Sequence, residues 1–177
     1  GSLAVRYDYT YDANYPEKVT SITPKNPSSG QVDPNWQAWQ YDYYQSGSTA
    51  PGALNHVYLV KSDGTTQTVA TYEYDAKGRI TRQTSGTGGQ TDYAYSSGGN
   101  LQTVTSPANN DAGTRPVQTY AYDAAGRVTS ATDANGHATT YTYDANRRLT
   151  KAAFFDGTAY DFAYEARGLR TLEKSST

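Results

Sequence analysis

The 177-residue chain contains no cysteine and no methionine. Without thiols it forms neither a disulfide staple nor a thiolate metal site; this is neutral as to compartment, because large repetitive secreted proteins need no staples. Long apolar runs are also missing, and nothing approaches the roughly 20 residues of a membrane span. Neither sign of charge dominates: 15 Lys and Arg stand against 17 Asp and Glu, for a net charge of −2. Such a surface does not track phosphates, so nucleic acid is not an expected partner. Leu, Ile, Val and Phe together number 21, about 12% of the chain. A share under about 20% signals disorder when net charge is high, which it is not here. The chain opens on Gly1-Ser2 and not on Met, as an excised piece of a longer protein would.

What the chain has instead is tyrosine, 18 in all. Tyrosine favours strands and brings a large apolar ring, so it replaces the usual aliphatic core and predicts folded β structure with a thin interior. The tyrosines are ordered. Aromatic pairs one position apart recur at Tyr9/Tyr11, Tyr41/Tyr43, Tyr72/Tyr74, Tyr93/Tyr95, Tyr120/Tyr122, Tyr141/Tyr143 and Phe162/Tyr164. Residues i and i+2 share one face of a strand, so each pair places two rings on the same side. The second members step by 32, 31, 21, 27, 21 and 21 residues, a basic period of 21 with insertions.

Twenty-one residues hold two strands of about six residues and two short turns. One period predicts strands over Ala138 to Tyr143 and Arg148 to Phe154. Asp75-Ala-Lys-Gly78, Asp123-Ala-Ala-Gly126 and Asp133-Ala-Asn-Gly136 set Asp first and Gly fourth in a four-residue turn. Asp bonds the backbone two residues on, and Gly takes the left-handed conformation that a following bulge requires. Ser62-Asp63-Gly64-Thr65 and Phe155-Asp156-Gly157-Thr158 carry the Asp-Gly signal of a two-residue hairpin turn. Three insertions, Ile22 to Asn35, Gln45 to Gly52 and Pro107 to Pro116, predict the longer surface loops. No composition break divides the chain, so residues 1–177 read as a single array: an all-β, repetitive antiparallel β-hairpin sheet.

The phrase Tyr-Asp-x-x-Gly-Arg-aliphatic-Thr, then Thr-Asp-x-x-Gly and a new Tyr-x-Tyr-Asp, resembles the YD repeat of RHS proteins. Gly126-Arg127-Val128-Thr129 through Tyr141-Thr142-Tyr143-Asp144 is the cleanest copy. The resemblance is strong over residues 72–170 and weaker over 7–60. It implies a β-sheet wound into a spiral, which in bacterial toxin complexes closes into a hollow shell around a toxic polypeptide and in animal teneurins forms part of an adhesion receptor. Three departures stand out. Arg147 replaces a turn Gly, two extra residues precede Val19, and the Asp-Pro-x-Gly-Leu signature of the family's self-cleaving region is missing, Glu165-Ala-Arg-Gly168-Leu169 being an ordinary repeat. Autoproteolysis is therefore not carried over, and seven units are too few to enclose a cargo alone.

Candidate sites are few. His137 follows a turn glycine, where a solvated histidine is the simpler reading than a general base, and no Ser or Cys nucleophile pattern accompanies it or His56. Asp8/Asp12 are explained by turn chemistry, and the turn aspartates do not build a calcium loop. No catalytic, metal or cofactor residue is assigned. The Tyr rows read first as cross-strand packing against equivalent pairs one repeat away, and second as stacking platforms for carbohydrate. Arg79, Arg127 and Arg148 recur at equal phase, placed to stack on a neighbouring Tyr or to pair with the turn Asp.

The expected function is a structural, non-enzymatic segment of an RHS-type shell that encloses or presents a toxin, secreted or displayed by a bacterium. Its partners are then the remainder of the parent shell and the enclosed polypeptide. The alternative is a cell-surface binding module that recognises a glycan or a protein through exposed Tyr or the inserted loops. The end strands near Tyr9 and Phe162 have edges to satisfy, either by self-association or by the Pro-rich segment folding over one of them.

Overall fold

The computed structural model describes residues 5–32, 37–108 and 113–176. Asp33, Pro34 and Asn35 of the first insertion, and positions 109–112 of the third, lie outside the described residues. There are fourteen strands: β1 (Arg6–Tyr11), β2 (Val19–Lys25), β3 (Ala38–Tyr43), β4 (Leu54–Val60), β5 (Thr66–Tyr74), β6 (Ile80–Ser85), β7 (Gln90–Tyr95), β8 (Leu101–Thr105), β9 (Val117–Tyr122), β10 (Val128–Thr132), β11 (Ala138–Tyr143), β12 (Leu149–Ala153), β13 (Ala159–Tyr164) and β14 (Arg170–Ser176). Their order in the sheet is their order in the chain. Every described pairing is antiparallel, as hairpin connections require. No helix occurs among the described residues. Each aromatic pair ends the first strand of its hairpin, as the alternation predicts.

Two compact units are distinguished, residues 1–91 and 92–177. The first holds β1 to β6. There Tyr44 meets the ring of Tyr74 edge-on at 5.9 Å, and the Tyr15 ring lies against Gly52, where a Cβ would sit 3.2 Å from its edge. The second holds β8 to β14, with β7 across the boundary. In it Arg115 closes the third insertion by donating to the Ser106 and Thr105 carbonyls at 3.0 and 2.9 Å and pairing with Asp92.

Neither unit has a conventional core. Among the described residues those buried are Pro24, Ala50 and Ala70 in the first, Ala152 and Ala159 in the second. Strand contacts run between sheet neighbours. The 19.2 kDa chain exposes 11369 Å²; even two separate compact bodies of half that mass would expose only about 10,200 Å². Cohesion therefore comes from the ladders and from side chains that bridge one hairpin to the next.

The turns follow one design. In Asp123-Ala-Ala-Gly126 the Gly126 N–H donates to the Asp123 carbonyl at 3.0 Å, and Asp123 N–H donates to the Arg127 carbonyl at 3.0 Å. The Asp-Gly segments do the same and are not two-residue turns: Gly64 N–H donates to Lys61 and Lys61 N–H to Thr65, while Gly157 and Phe154 repeat the pattern with Phe154 and Thr158. A two-residue turn of the Asn-Gly kind needs positive φ at both central residues. Asp63 and Asp156 do not have it; among the described non-glycine residues only Arg147 does, at φ 66°.

Each aromatic-pair hairpin is irregular beside its second aromatic, and β4 and β5 shift register as well, between Val57 and Tyr58. The register shifts at Tyr11, Tyr43, Tyr74, Tyr95, Tyr143 and Tyr164, and opposite Tyr122. The residue left over is the one after the aliphatic position: Thr20, Asn55, Thr81, Gln102, Thr129, Thr150 and Thr171. The recurring Thr of the repeat phrase is thus a bulge residue, and the bulge re-aims the second aromatic ring toward the preceding hairpin.

The described part of the Pro-rich segment folds on itself and not over an end strand's free edge. Asn26 N–H bonds the Gln31 carbonyl at 2.9 Å and Lys25 bridges Val32, so residues 26–31 fold back on the end of β2.

Candidate functional site

The side chains that repeat with the period form a relay between hairpins. At the turn, the Asp123 carboxylate accepts the Ala125 and Arg127 N–H groups on Oδ1, at 2.9 and 3.0 Å, and the Arg127 Nε on Oδ2 at 2.6 Å. Asp144 holds Asn146 and Arg148 in the same way, with Arg148 Nε at 2.7 Å, and Asp75 holds Lys77 and Arg79, with Nε at 2.8 Å. Fixed by this fork, the Arg127 guanidinium lies 4.7 Å over the ring of Tyr143, and Arg148 lies 4.7 Å over Tyr164. Their Nη1 atoms reach on to the Asp144 and Glu165 carbonyls, at 3.4 and 3.2 Å.

The tyrosine answers in the opposite direction. Tyr143 donates its O–H to the Val128 carbonyl at 2.9 Å, and Tyr164 to Leu149 at 2.8 Å. In the first unit Tyr43 donates to Val19 at 2.7 Å and Tyr74 to Leu54 at 2.9 Å. Each acceptor is the aliphatic residue paired with the second aromatic of the preceding hairpin. Stacking and pairing, posed as alternatives for the arginines, thus occur together at Arg127 and Arg148. The expected stacking of Tyr pair on Tyr pair is replaced at these positions by a guanidinium between ring and turn.

The electrostatics follow the geometry. Hydrogen bonding to Arg79 lowers the Asp75 carboxyl below its ordinary value, and the backbone N–H groups of Arg127 and Arg148 do the same for Asp123 and Asp144. Burial pushes the Tyr74 and Tyr43 hydroxyls up, which keeps them protonated as donors.

The residues weighed as candidate sites lie elsewhere. Asp8 pairs with Arg6 and Lys25, whereas Asp12 accepts the Asn14 and Tyr15 N–H groups, so they serve separate structural roles. His56 Nδ1 sits 2.9 Å from Asp42 with its ring near Tyr58. His137 is not merely solvated: its ring stacks on Phe155 at 3.7 Å and 8°, with Nδ1 3.4 Å from Asp133. A shallow depression there is lined by Gln118, Tyr120, Asp133, His137 and Phe155. Sequence reasoning missed this platform because Phe155 sits two positions after strand β12 and outside the aromatic pairs. No group of three or more potential metal ligands occurs among the described residues, and no helix there is long and apolar enough to cross a membrane.

Comparison with known proteins places the repeat. Residues 74–111 and 122–159 match the family model described as RHS Repeat. The crystal structure of TcdB2-TccC3-TEV is 18% identical over 99% of this chain, with a TM-score of 0.76. That of TcdB2-TccC3-Cdc42 is 18% identical over 97%, with 0.75, and the Photorhabdus luminescens Tc holotoxin pore with a mutant TccC3 is 19% identical over 96%, with 0.73. In each case this chain spans 9% of the larger chain, and at such identity the likeness is one of fold. No curated protein sequence matches. Residues 74–111 and 122–159 thus carry the pattern of the RHS Repeat, and the chain has the fold of the Tc toxin structures.

Proposed function

We infer that residues 1–177 act as one structural, non-enzymatic array in the wall of an RHS-type β-shell, and that the parent, a secreted bacterial protein, encloses or presents a toxic polypeptide. The observation that carries this reading is the relay. Adjacent hairpins are tied by Arg127 and Arg148 over Tyr143 and Tyr164, while the buried residues among those described are four alanines and Pro24. A sheet held edge to edge, with no core of its own, is built to continue as a wall. Its partners are the remaining shell and the enclosed chain. The test is protease protection of the polypeptide downstream in the parent protein. The intact parent should shield it, and a parent carrying Arg127→Ala with Arg148→Ala should release it to digestion. Equal digestion in both would refute the reading.

Phe155 supports a second reading, a cell-surface module that recognises a glycan. It is 62% exposed and lies on His137 beside the polar Asp133 and Gln118. An aromatic face flanked by hydrogen-bonding groups suits a sugar ring. Binding on a glycan array that disappears in Phe155→Ala would favour it over the wall.

A further inference from the structure

The Asp133 turn departs from the turns of the relay. Asp75, Asp123 and Asp144 each accept an arginine Nε on Oδ2, at 2.8, 2.6 and 2.7 Å. Asp133 has His137 at that place, four residues on, with Nδ1 at 3.4 Å, and its side chain is 44% exposed. The turn N–H groups of Asn135 and His137 both fall on Oδ1, at 2.8 and 2.9 Å, which leaves Oδ2 to the outside. The bond from the His137 N–H holds the carboxyl below the usual carboxylate range, so the group is an anion at neutral pH.

That carboxylate borders an aromatic depression within the second unit. Tyr120, Phe154, Phe155 and the His137 ring line it together with Asp133 and Gln118, around a volume of about 290 Å³. Among the described residues that line it there is no lysine or arginine. Phe155 lies flat on His137 at 3.7 Å and Phe154 is braced edge-on by Tyr160 at 6.0 Å, so the rings are held in place before a ligand arrives. The face of an aromatic ring attracts a cation, as Tyr143 and Tyr164 do with Arg127 and Arg148. Aromatic walls, one anion and no competing side-chain guanidinium or ammonium suit a positively charged guest.

We propose that this depression takes an amino sugar, with its ammonium at Asp133 Oδ2 and its ring against the aromatic lining. The inference rests on the glycan reading of Phe155 and names the class of sugar within it. Gln118 and the Tyr120 O–H, 3.5 Å apart, supply partners for the sugar hydroxyls. An acidic sugar would set a second carboxylate against Asp133, and an N-acetylated one brings no charge to meet it. An exposed ion pair and an exposed cation–π contact are each worth about two- to fivefold in affinity, so together they favour an amine over a hydroxyl by about tenfold.

Three trisaccharides of identical linkage, built from glucosamine, glucose or N-acetylglucosamine, test this when titrated near neutral pH into the isotope-labelled chain and followed by NMR. At low salt the glucosamine trimer should bind about tenfold more tightly than the glucose trimer, the N-acetylated trimer should do no better than glucose, and added salt should narrow the gap. Asp133→Asn keeps an Oδ1 acceptor for the turn and should bring the glucosamine and glucose affinities together. Phe155→Ala, at a position 62% exposed, should abolish binding of both. Circular dichroism and urea midpoints check that each variant is folded. If the glucose trimer binds as tightly as the glucosamine trimer and Phe155→Ala abolishes both, the amine class is overturned while the glycan reading stands; if no trisaccharide binds, both fall. A preference for the amine that survives in folded Asp133→Asn, or amine binding that survives in Phe155→Ala, overturns the proposed site.

Discussion

Arg147 is the place where the repeat departs from its own turn chemistry, and its replacement by glycine tests the local reasoning most directly. Its φ of 66° lies in the left-handed region, while twelve glycines take positive φ elsewhere in the chain. For a residue with a Cβ that conformation costs about 1–2 kcal/mol. The side chain is exposed, and the ion pair to Asp144 belongs to Arg148, so Arg147→Gly forfeits no described contact. Against the relieved strain stands the extra freedom of glycine in the unfolded chain, about 0.5–1 kcal/mol. The net expectation is a gain of about 0.5–1 kcal/mol, or about 1–4 °C in Tm for a chain of this length. Two controls isolate the cause. Asn146→Gly, one residue earlier and without positive φ, brings only the entropic cost and should lower stability by about 0.5–1 kcal/mol. Gly136→Ala, at φ 84° with open space around the added Cβ, imposes the left-handed strain less the gain from a stiffer unfolded chain, and should cost about 0.5–1 kcal/mol. Urea midpoints at constant slope give all three values. If Arg147→Gly lowers the midpoint, or Asn146→Gly raises it as much, left-handed strain is not what distinguishes position 147.

The remaining predictions concern the relay, the ladder and pH. Tyr143→Phe removes one hydrogen bond to the Val128 carbonyl and should cost about 1 kcal/mol by urea unfolding, whereas Tyr143→Ala also loses the ring under Arg127 and should cost about 2–3 kcal/mol. Gly86→Ala should be worse than any turn glycine: the added Cβ would lie 2.2 Å from the Thr68 carbonyl oxygen, so β5 must move, and amide exchange in β5 and β6 should report it. Acid should loosen the turns. The folded carboxyls of Asp75, Asp123 and Asp144 lie below their ordinary value, so their contribution is complete above the unfolded value of about 4 and is lost as pH falls through the lower folded values. A thermal midpoint that stays flat from about pH 5 down to about pH 2 would contradict the turn carboxylates as holding groups.

Strand positions were legible because alternation and turn residues are local signals. Ala138–Tyr143 is β11 residue for residue, and β12 differs from its expected span only at the ends. What lay beyond the sequence depends on which residue faces which. The Asp-Gly pairs at 63–64 and 156–157 carry the right composition for a two-residue turn, but the pairing of Lys61 with Thr65 and of Phe154 with Thr158 lengthens the loop. The bulge residues Thr129 and Thr150 were visible as a recurring Thr, without a reason for recurring until the register to Tyr122 and Tyr143 was seen. Arg127 could be placed near a turn Asp or a Tyr; that it meets both follows from the ring being swung back by the bulge. His137 on Phe155 joins residues of two hairpins, and no periodic pattern marks such a pair.

The direction of the tyrosine hydrogen bonds bears on how the chain emerges from the ribosome. In the relay each acceptor precedes its donor, by 24, 20, 15 and 15 residues for Tyr43, Tyr74, Tyr143 and Tyr164, whereas Tyr44, outside the relay, donates forward to the Tyr72 carbonyl. A hairpin that has just left the exit tunnel therefore finds the acceptor for its relay tyrosine already built. Such vectorial growth keeps loop closures short and the unfolded tail brief, which limits the time during which bare strand edges meet other nascent chains. A sheet that buries little more than a few alanines, and which would be hazardous to fold all at once, can be laid down one period at a time.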